Sequence, residues 1–489
     1  MQKVLYRSKA MLNKLELKPK SSLFKRSFLK DFNLISKCFL LMYSCIREDE
    51  NDIFYQKEPT EDLNMFIDAV EYYEPANLPD HLKSFDNAKN TLYFWISVAS
   101  KVLKKPNSCC MLGSLMYNAM VYKCSRKDEL LVQCQTTLNL LDTKRIGKLF
   151  DLKKSIDEKE CMKDKKNKLN MLIYIPITER DSLTLDNLDS TAVPIMIREK
   201  LDLEHKTELK KYDCTKHIRV RVLANKNWLK EVEKNPQFVK EFDTLILEFH
   251  GGGFVIGSSH HQTMMFASLF ARDFDGPIFM VDYRLGPDHK FPDGLNDCWK
   301  TYLWVVNYAE KYLHVRFKKI ILLGDSAGGN LVFGVTNLSI QKNVRVPDGI
   351  IGTYPAMSTS FGLFSPSLLL SFDDIVLNMS TLMYFVDSFA ENDDKIRSHY
   401  LLSPRNTPEE FLGKYPPTRF ITSGLDPLRD DSIRFMIRLL KKRIDVRMTE
   451  FRYQTHGFYE MGMYPLKLKE ALSYVPKLHQ LILELSALE

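Results

Sequence analysis

The chain has 489 residues, 45% of them hydrophobic and 27% charged. That is a globular composition beyond the size at which one core stops growing, so two domains or one large decorated domain is expected. The formal net charge of +7 is concentrated in residues 1–30, which hold nine Lys/Arg against Glu16 alone. The near-neutral remainder argues against nucleic acid as a partner.

No run of 18 apolar residues occurs, so a membrane span is not expected. No apolar h-region follows Lys3, Arg7, Lys9 and Lys14, so a signal peptide is not expected either. The nine cysteines are irregularly spaced, with Cys109 and Cys110 adjacent and no accompanying His cluster. Reduced thiols in the cytosol, with no zinc site, are the simpler reading.

Residues 1–30 interleave their basic side chains with Leu12, Leu15, Leu17, Leu23, Phe24, Phe28 and Leu29. The pattern suits peripheral contact with an anionic membrane or lipid-droplet surface. A solvated terminus and a targeting segment are alternatives. Residues 31–150 read as a mainly helical N-terminal domain. Within it Thr91–Leu103 is apolar on more than one face, as in a buried helix, and Tyr72–Asp80 with its two prolines is a connecting loop. Residues 151–215 form a charged linker and connecting region, densest in Lys, Asp and Glu over Lys153–Lys168.

From residue 216 to 489 the texture changes. Apolar runs at Ile218–Leu223, Thr244–Phe249, Pro277–Val281, Ile320–Leu323, Gly349–Tyr354, Thr418–Ser423 and Val446–Phe451 alternate with helical patterns. Those patterns lie at about Gln262–Asp273, Pro292–Leu313, Ser326–Gln341, Asn378–Ala390, Arg429–Lys442 and Leu466–Leu485. Such alternation predicts an α/β fold with a mostly parallel sheet and helices on both faces. Active groups then collect at the carboxyl ends of the strands.

Three stretches carry chemistry there. Ile320–Leu323 runs into Gly324-Asp325-Ser326-Ala327-Gly328, a G-x-S-x-G strand–turn–helix elbow that would hold Ser326 up as a nucleophile. Thr244–Phe249 runs into His250-Gly251-Gly252-Gly253-Phe254, whose bare amides can approach a substrate oxygen. Asp426 follows the strand Thr418–Ser423 and His456 follows Val446–Phe451, giving the order Ser, Asp, His on one rim. Asp426 could instead cap the next helix, with Asp430 or Asp431 as the acid. His250, His260, His261, His289, His314 and His399 are alternatives to His456, although none of them follows a late strand beyond the acid.

HGGGF, GDSAGGN, D-P-L after a strand and HGF resemble the hormone-sensitive lipase family of serine esterases and lipases. Asp282-Tyr283-Arg284-Leu285-Gly286-Pro287-Asp288 with Phe291-Pro292 is similar to that family's D-Y-R-L-A-P-E…F-P loop, departing at Gly286 and Asp288. Val344–Ile350, Phe364–Ser367, Leu402–Pro404 and Asp430–Ser432 resemble the animal lipases more than the bacterial or arylacetamide deacetylase-like members. The resemblance is dense from Ile218 to Met461 and thin over the N-terminal third.

The resemblance implies an α/β-hydrolase fold with Ser326 as nucleophile, His456 as base and then acid, and Asp426 as its partner. It implies an oxyanion hole from the amides of Gly252, Gly253 and Ala327, with His250 and Gly251 bracing the loop and Asp325 and Glu248 supporting. The implied substrate is a neutral lipid ester, such as an acylglycerol or a cholesteryl ester, with no metal or organic cofactor. One hundred residues separate Ser326 from Asp426, too few for the long phosphorylated insertion of the animal lipases. A small-ester or amide hydrolase of the arylacetamide deacetylase sort is the alternative. A third is a hormone receptor on the same fold, which would lack a catalytic histidine.

Overall fold

Leu245, Ile246 and Leu247 are consecutive in the chain and all fully buried, which an extended segment achieves only when both faces of its sheet are covered. The computed structural model describes residues 61–73, 168–177, 182–191, 214–225, 235, 237–259, 274, 276–360, 365, 367, 368, 376–462 and 473–488. The basic segment 1–30, the buried helix expected at Thr91–Leu103, the helix expected at Gln262–Asp273 and both His260 and His261 lie outside these residues, as do the boundaries drawn near residues 30 and 150.

The described chain begins with helix α1 (Glu61–Ala69) and strand β1 (Val70–Tyr73). It continues through β2 (Lys168–Pro176), β3 (His217–Asn225), β4 (Lys240–Phe249), β5 (Ile278–Asp282), α2 (Asp293–Leu313), β6 (Val315–Asp325) and α3 (Ala327–Gln341). Then come β7 (Gly349–Thr353), α4 (Met379–Phe389), β8 (Thr418–Leu425), α5 (Arg429–Lys441), β9 (Val446–Thr455) and α6 (Tyr474–Ala487), with shorter helical turns between α4 and β8. The strands form one nine-stranded sheet in the order β1-β9-β8-β7-β6-β4-β5-β3-β2. Every neighbouring pair is parallel except β3 with β5 and β2 with β3.

Side chains of α2, α3 and α5 cover one face of the sheet, where Trp299, Phe333 and Phe435 are fully buried. Tyr474, Leu478, Leu481, Ile482 and Leu485 of α6 cover the other. The seven expected strands are all present; β3, β4, β6, β8 and β9 run a few residues beyond their apolar runs, β5 is shifted by one residue, and β7 ends one residue early.

Two strands depart from the sequence reading. β2 lies within the segment expected as linker, and β1 lies within the stretch read as helical, overlapping the start of the expected loop. Both sit at the outer ends of the sheet order, each with one neighbouring strand among the described residues; β1 has only four residues, whereas β2 carries the apolar run Met171–Ile175 inside an otherwise charged stretch.

Candidate active site

The elbow at Ser326 is a consequence of crowding. A Cβ on Gly328 would lie 1.8 Å from the carbonyl oxygen of Phe249, so only glycine lets α3 pass so close to β4. The turn puts Ser326 at φ 52°, a conformation that costs a β-carbon-bearing residue energy. Backbone bonds hold it there. Ser326 N–H donates to the Thr353 carbonyl at 2.9 Å, and its own carbonyl accepts from Asn330 and Ala356. Asn330 in turn donates its side-chain amide to the carbonyls of Ala356 and Leu402, at 2.6 and 2.7 Å.

His456 leaves the end of β9 and Asp426 the end of β8. The imidazole Nε2 lies 2.8 Å from Ser326 Oγ, and Nδ1–H donates to Asp426 Oδ2 at 2.8 Å. Asp426 is wholly buried, and its other oxygen accepts the amide of Leu428 at 2.7 Å. The carboxylate thus serves the imidazole with one oxygen and the turn before α5 with the other; the N-cap of α5 is Leu428, with no side-chain cap bond, so Asp426 does not cap that helix. The ring of Tyr354 lies 4.6 Å from that of His456.

The rival residues are engaged elsewhere. Asp430 accepts from the Ser367 amide and from Arg429, and Asp431 accepts from Arg405 and Arg434. His250 Nδ1 is 2.7 Å from the carbonyl of Gly251, His289 pairs with Asp293, His314 forms the left-handed cap of α2, and His399 pairs with Asp189.

The glycine loop turns back toward the elbow with φ of +115° at Gly252 and +60° at Gly253. Its first amide, that of Gly251, donates to Asp325 Oδ1 at 2.8 Å. Tyr283 donates its hydroxyl to the His250 carbonyl and stacks on the His250 ring at 4.3 Å. The far end is held by Asp282, which accepts from the amide and hydroxyl of Ser259 and from Arg219. Phe385 of α4 closes over the loop: a Cβ on Gly253 would lie 2.3 Å from its ring.

Ser326, Asp426 and His456 are therefore brought together, with Gly251–Gly253 and the first amide of α3 at Ala327 alongside. The sequence assigns no site role to Tyr283, Tyr354, Ser367 or Phe385. Tyr283 stands inside the D-Y-R motif and Ser367 inside the Phe364–Ser367 match, which are the available signals, whereas Phe385 reaches the glycine loop only through tertiary packing.

A buried acid group lies on the α6 face behind the loop. Glu248 is the penultimate residue of β4, and Asp282 and Asp325 are the last residues of the strands on either side. Burial pushes the Asp325 carboxyl up to about 7, the Glu460 charge adding to it and the Tyr459 hydroxyl, the Gly251 amide and His456 opposing. Burial, then Asp325 and Asp282, push Glu248 far above the carboxylate range. Among the described residues nothing hydrogen-bonds its Oε2, and no group of His, Cys, Asp or Glu could hold a metal ion.

The α/β hydrolase fold model matches residues 246–460. That span runs from within β4 through the glycine loop, the elbow, Asp426 and His456. Residues 246–460 form an α/β-hydrolase domain that is similar in sequence to hormone-sensitive lipases and to esterases. The chain is 39% identical over 160 residues to the hormone-sensitive lipase of Ictidomys tridecemlineatus, covering 33% of this chain and 21% of that one. The chain thus spans about a fifth of the length of that lipase. It is 29% identical over 224 residues to an ethyl acetate hydrolase of Pseudomonas putida, covering 44% of this chain and 66% of that one. Among solved structures, the monoclinic form of a Pyrobaculum calidifontis esterase superimposes with a TM-score of 0.47 at 25% identity, over 56% of this chain and 81% of that one. No helix of the described residues is long and apolar enough to cross a membrane.

Proposed function

We propose that the hydrolase domain is a serine carboxylic ester hydrolase that acts on neutral lipid esters, acylglycerols and cholesteryl esters, through an acyl-enzyme. The observation that carries this reading is the hydrogen-bonded line from Ser326 through His456 to Asp426, with both bonds at 2.8 Å. A neutral imidazole whose Nδ1 proton is held by a carboxylate has its Nε2 lone pair free to take the serine proton.

Ser326 Oγ attacks the ester carbonyl carbon as its proton passes to His456 Nε2. The C=O pair moves onto oxygen, which accepts from the amides of Gly252, Gly253 and Ala327. Collapse breaks the bond to the alkoxy oxygen, which takes the proton back from His456 and leaves as the alcohol. Water repeats the sequence on the acyl-enzyme and releases the fatty acid. Asp426 fixes the imidazole tautomer and stabilises its cation.

The test is Ser326→Ala in the full chain. It should abolish turnover of a short-chain p-nitrophenyl ester and labelling by a fluorophosphonate probe, with the melting temperature retained; full activity in that variant would end the proposal. A second reading, small esters as substrates, is favoured by the match to the ethyl acetate hydrolase, which extends over two thirds of that protein. A chain-length series from acetate to long acyl esters separates the two. Placement in the cytoplasm at a lipid-droplet or membrane surface belongs to the same proposal, supported by the basic and apolar texture of residues 1–30. Replacing their Lys/Arg by Gln should weaken sedimentation with anionic vesicles, and unchanged sedimentation would remove that part.

A further inference from the structure

Strand β1 is not part of any motif in the hydrolase domain. It pairs parallel to β9 with Val70 opposite Met448 and Tyr73 opposite Phe451, so β9, which hands the chain on to His456, is an inner strand of the sheet. The helix before it, α1, packs on α5, which follows Asp426. Phe66 of α1 is buried in the same core as Ile433, Phe435 and Met436 of α5 and Met448 of β9. The short segment 61–73 thus rests on the elements that carry the acid and the base.

A line of ring contacts continues from it to the imidazole. Tyr73 lies 4.5 Å from Phe451, Phe451 lies 4.7 Å from Phe458, Phe458 lies 6.1 Å from Tyr354, and Tyr354 lies 4.6 Å from His456. Phe451, Phe458 and Tyr354 are all buried. Close-packed rings have little room to shift singly, so displacement at one end is transmitted to the other. Just before Tyr73, Glu71 accepts from the buried Lys477 of α6 at 2.6 Å, and Arg452 lies 4.3 Å from the ring of Tyr72. An end strand without a neighbour is the part of a sheet that opens most readily, and without β1 that strand would be β9.

We propose that β1, and Tyr73 in particular, is a positioning element for His456, acting through the rings of Phe451, Phe458 and Tyr354. The inference rests on the serine-hydrolase reading of Ser326 and His456. It makes the N-terminal segment part of the frame of the site, so anything that pulls β1 from the sheet loosens the base.

The experiment uses the full chain with Tyr73→Leu, which keeps an apolar side chain and removes the ring, and Tyr73→Phe, which keeps the ring. In Tyr73→Leu, kcat for a p-nitrophenyl ester should fall on the order of tenfold with KM unchanged. The acid limb of the pH profile, set by imidazole protonation, should shift, and both effects should be restored in Tyr73→Phe. The low-field proton resonance of the His456–Asp426 hydrogen bond should broaden or move in Tyr73→Leu alone. Unchanged kcat and an unchanged resonance in a folded Tyr73→Leu variant would overturn the inference, as would equal losses in Tyr73→Phe. Should Tyr73→Leu fail to fold, Tyr73→Met, closer in volume, is read the same way. An inactive wild-type chain would count against the serine-hydrolase reading, and the resonance comparison would still decide the positioning role.

Discussion

Asp325 Oδ1 accepts the amide proton of Gly251 at 2.8 Å, joining the residue before Ser326 to the first glycine of the His250–Phe254 loop. The two strand ends are held side by side by the register of β4 and β6, in which Phe249 faces Gly324. One short carboxylate therefore ties the elbow to the glycine loop, whose amides are proposed to receive the oxyanion.

That carboxylate is also a source of pH dependence. Burial raises it from 3.8 to about 7, so the folded state holds its proton more tightly than the unfolded state does. Its stabilising contribution is full below about pH 4 and is lost as pH rises through about 7. Asp325→Asn keeps an oxygen for Gly251 and removes the titration. Relative to wild type, its melting temperature should rise progressively from pH 4 to pH 7 and level off above. Thermal unfolding in a pH series checks this; a constant difference would show that Asp325 does not titrate in that window.

Asp426→Asn is expected to lower kcat by about 10³–10⁴, because an amide nitrogen facing Nδ1 favours the tautomer whose Nε2 carries the proton. The same change at Asp430 should cost stability through Ser367 and Arg429 and leave the fluorophosphonate labelling rate within a few fold. Labelling rates of the two variants, compared at equal folded fraction, distinguish acid from loop support.

Gly252→Ala and Gly253→Ala should each lower kcat by about 10²–10³ through loss of an aligned donor. Their remedies differ. The added carbon at 252 meets the Ile256 carbonyl at 2.0 Å, whereas at 253 it meets the Phe385 ring at 2.3 Å. Phe385→Leu should therefore recover part of the activity of Gly253→Ala and none of that of Gly252→Ala, measured as kcat on one soluble ester.

Asn330→Asp is nearly isosteric and replaces a donor to two carbonyls with a buried carboxylate aimed at them. A loss on the order of 3 kcal/mol is expected at neutral pH. The loss should shrink at acid pH, where a protonated carboxyl can donate once. Denaturant unfolding at pH 5 and pH 8 tests both statements.

Much of this arrangement was legible in the chain itself. The apolar runs ending at Phe249 and Leu323 place the glycine loop and the serine at strand ends because burial on two faces demands unbroken apolar residues. Gly324 and Gly328 mark the elbow because only glycine fits there. The roles of Asp430, Asp431 and the other histidines were open from sequence, since a carboxylate or imidazole advertises its chemistry and not its partner. The structure assigns Asp430, Asp431, His250, His289 and His399 side-chain bonds elsewhere, and places His314 at the far end of α2 as its left-handed cap. β1 was hidden because it is four residues long and helical spacing around Phe66 masked the change at Val70; β2 was legible in the run Met171–Ile175 but was overshadowed by the charged stretch before it.

By itself the sequence determined the residue types and the chain order of the site, because the elbow, the glycine loop and the strand ends are local features of the backbone. Tertiary structure alone decided which acid meets which base. Ser423 lies opposite Phe451, yet two residues later Leu425 lies opposite Thr455, so β9 inserts two residues against β8 at that point. An unshifted register would set Asp426 beside Gln454. The irregularity brings Asp426 and His456 level, and no local pattern could reveal it, because register is a property of two strands and not of either one.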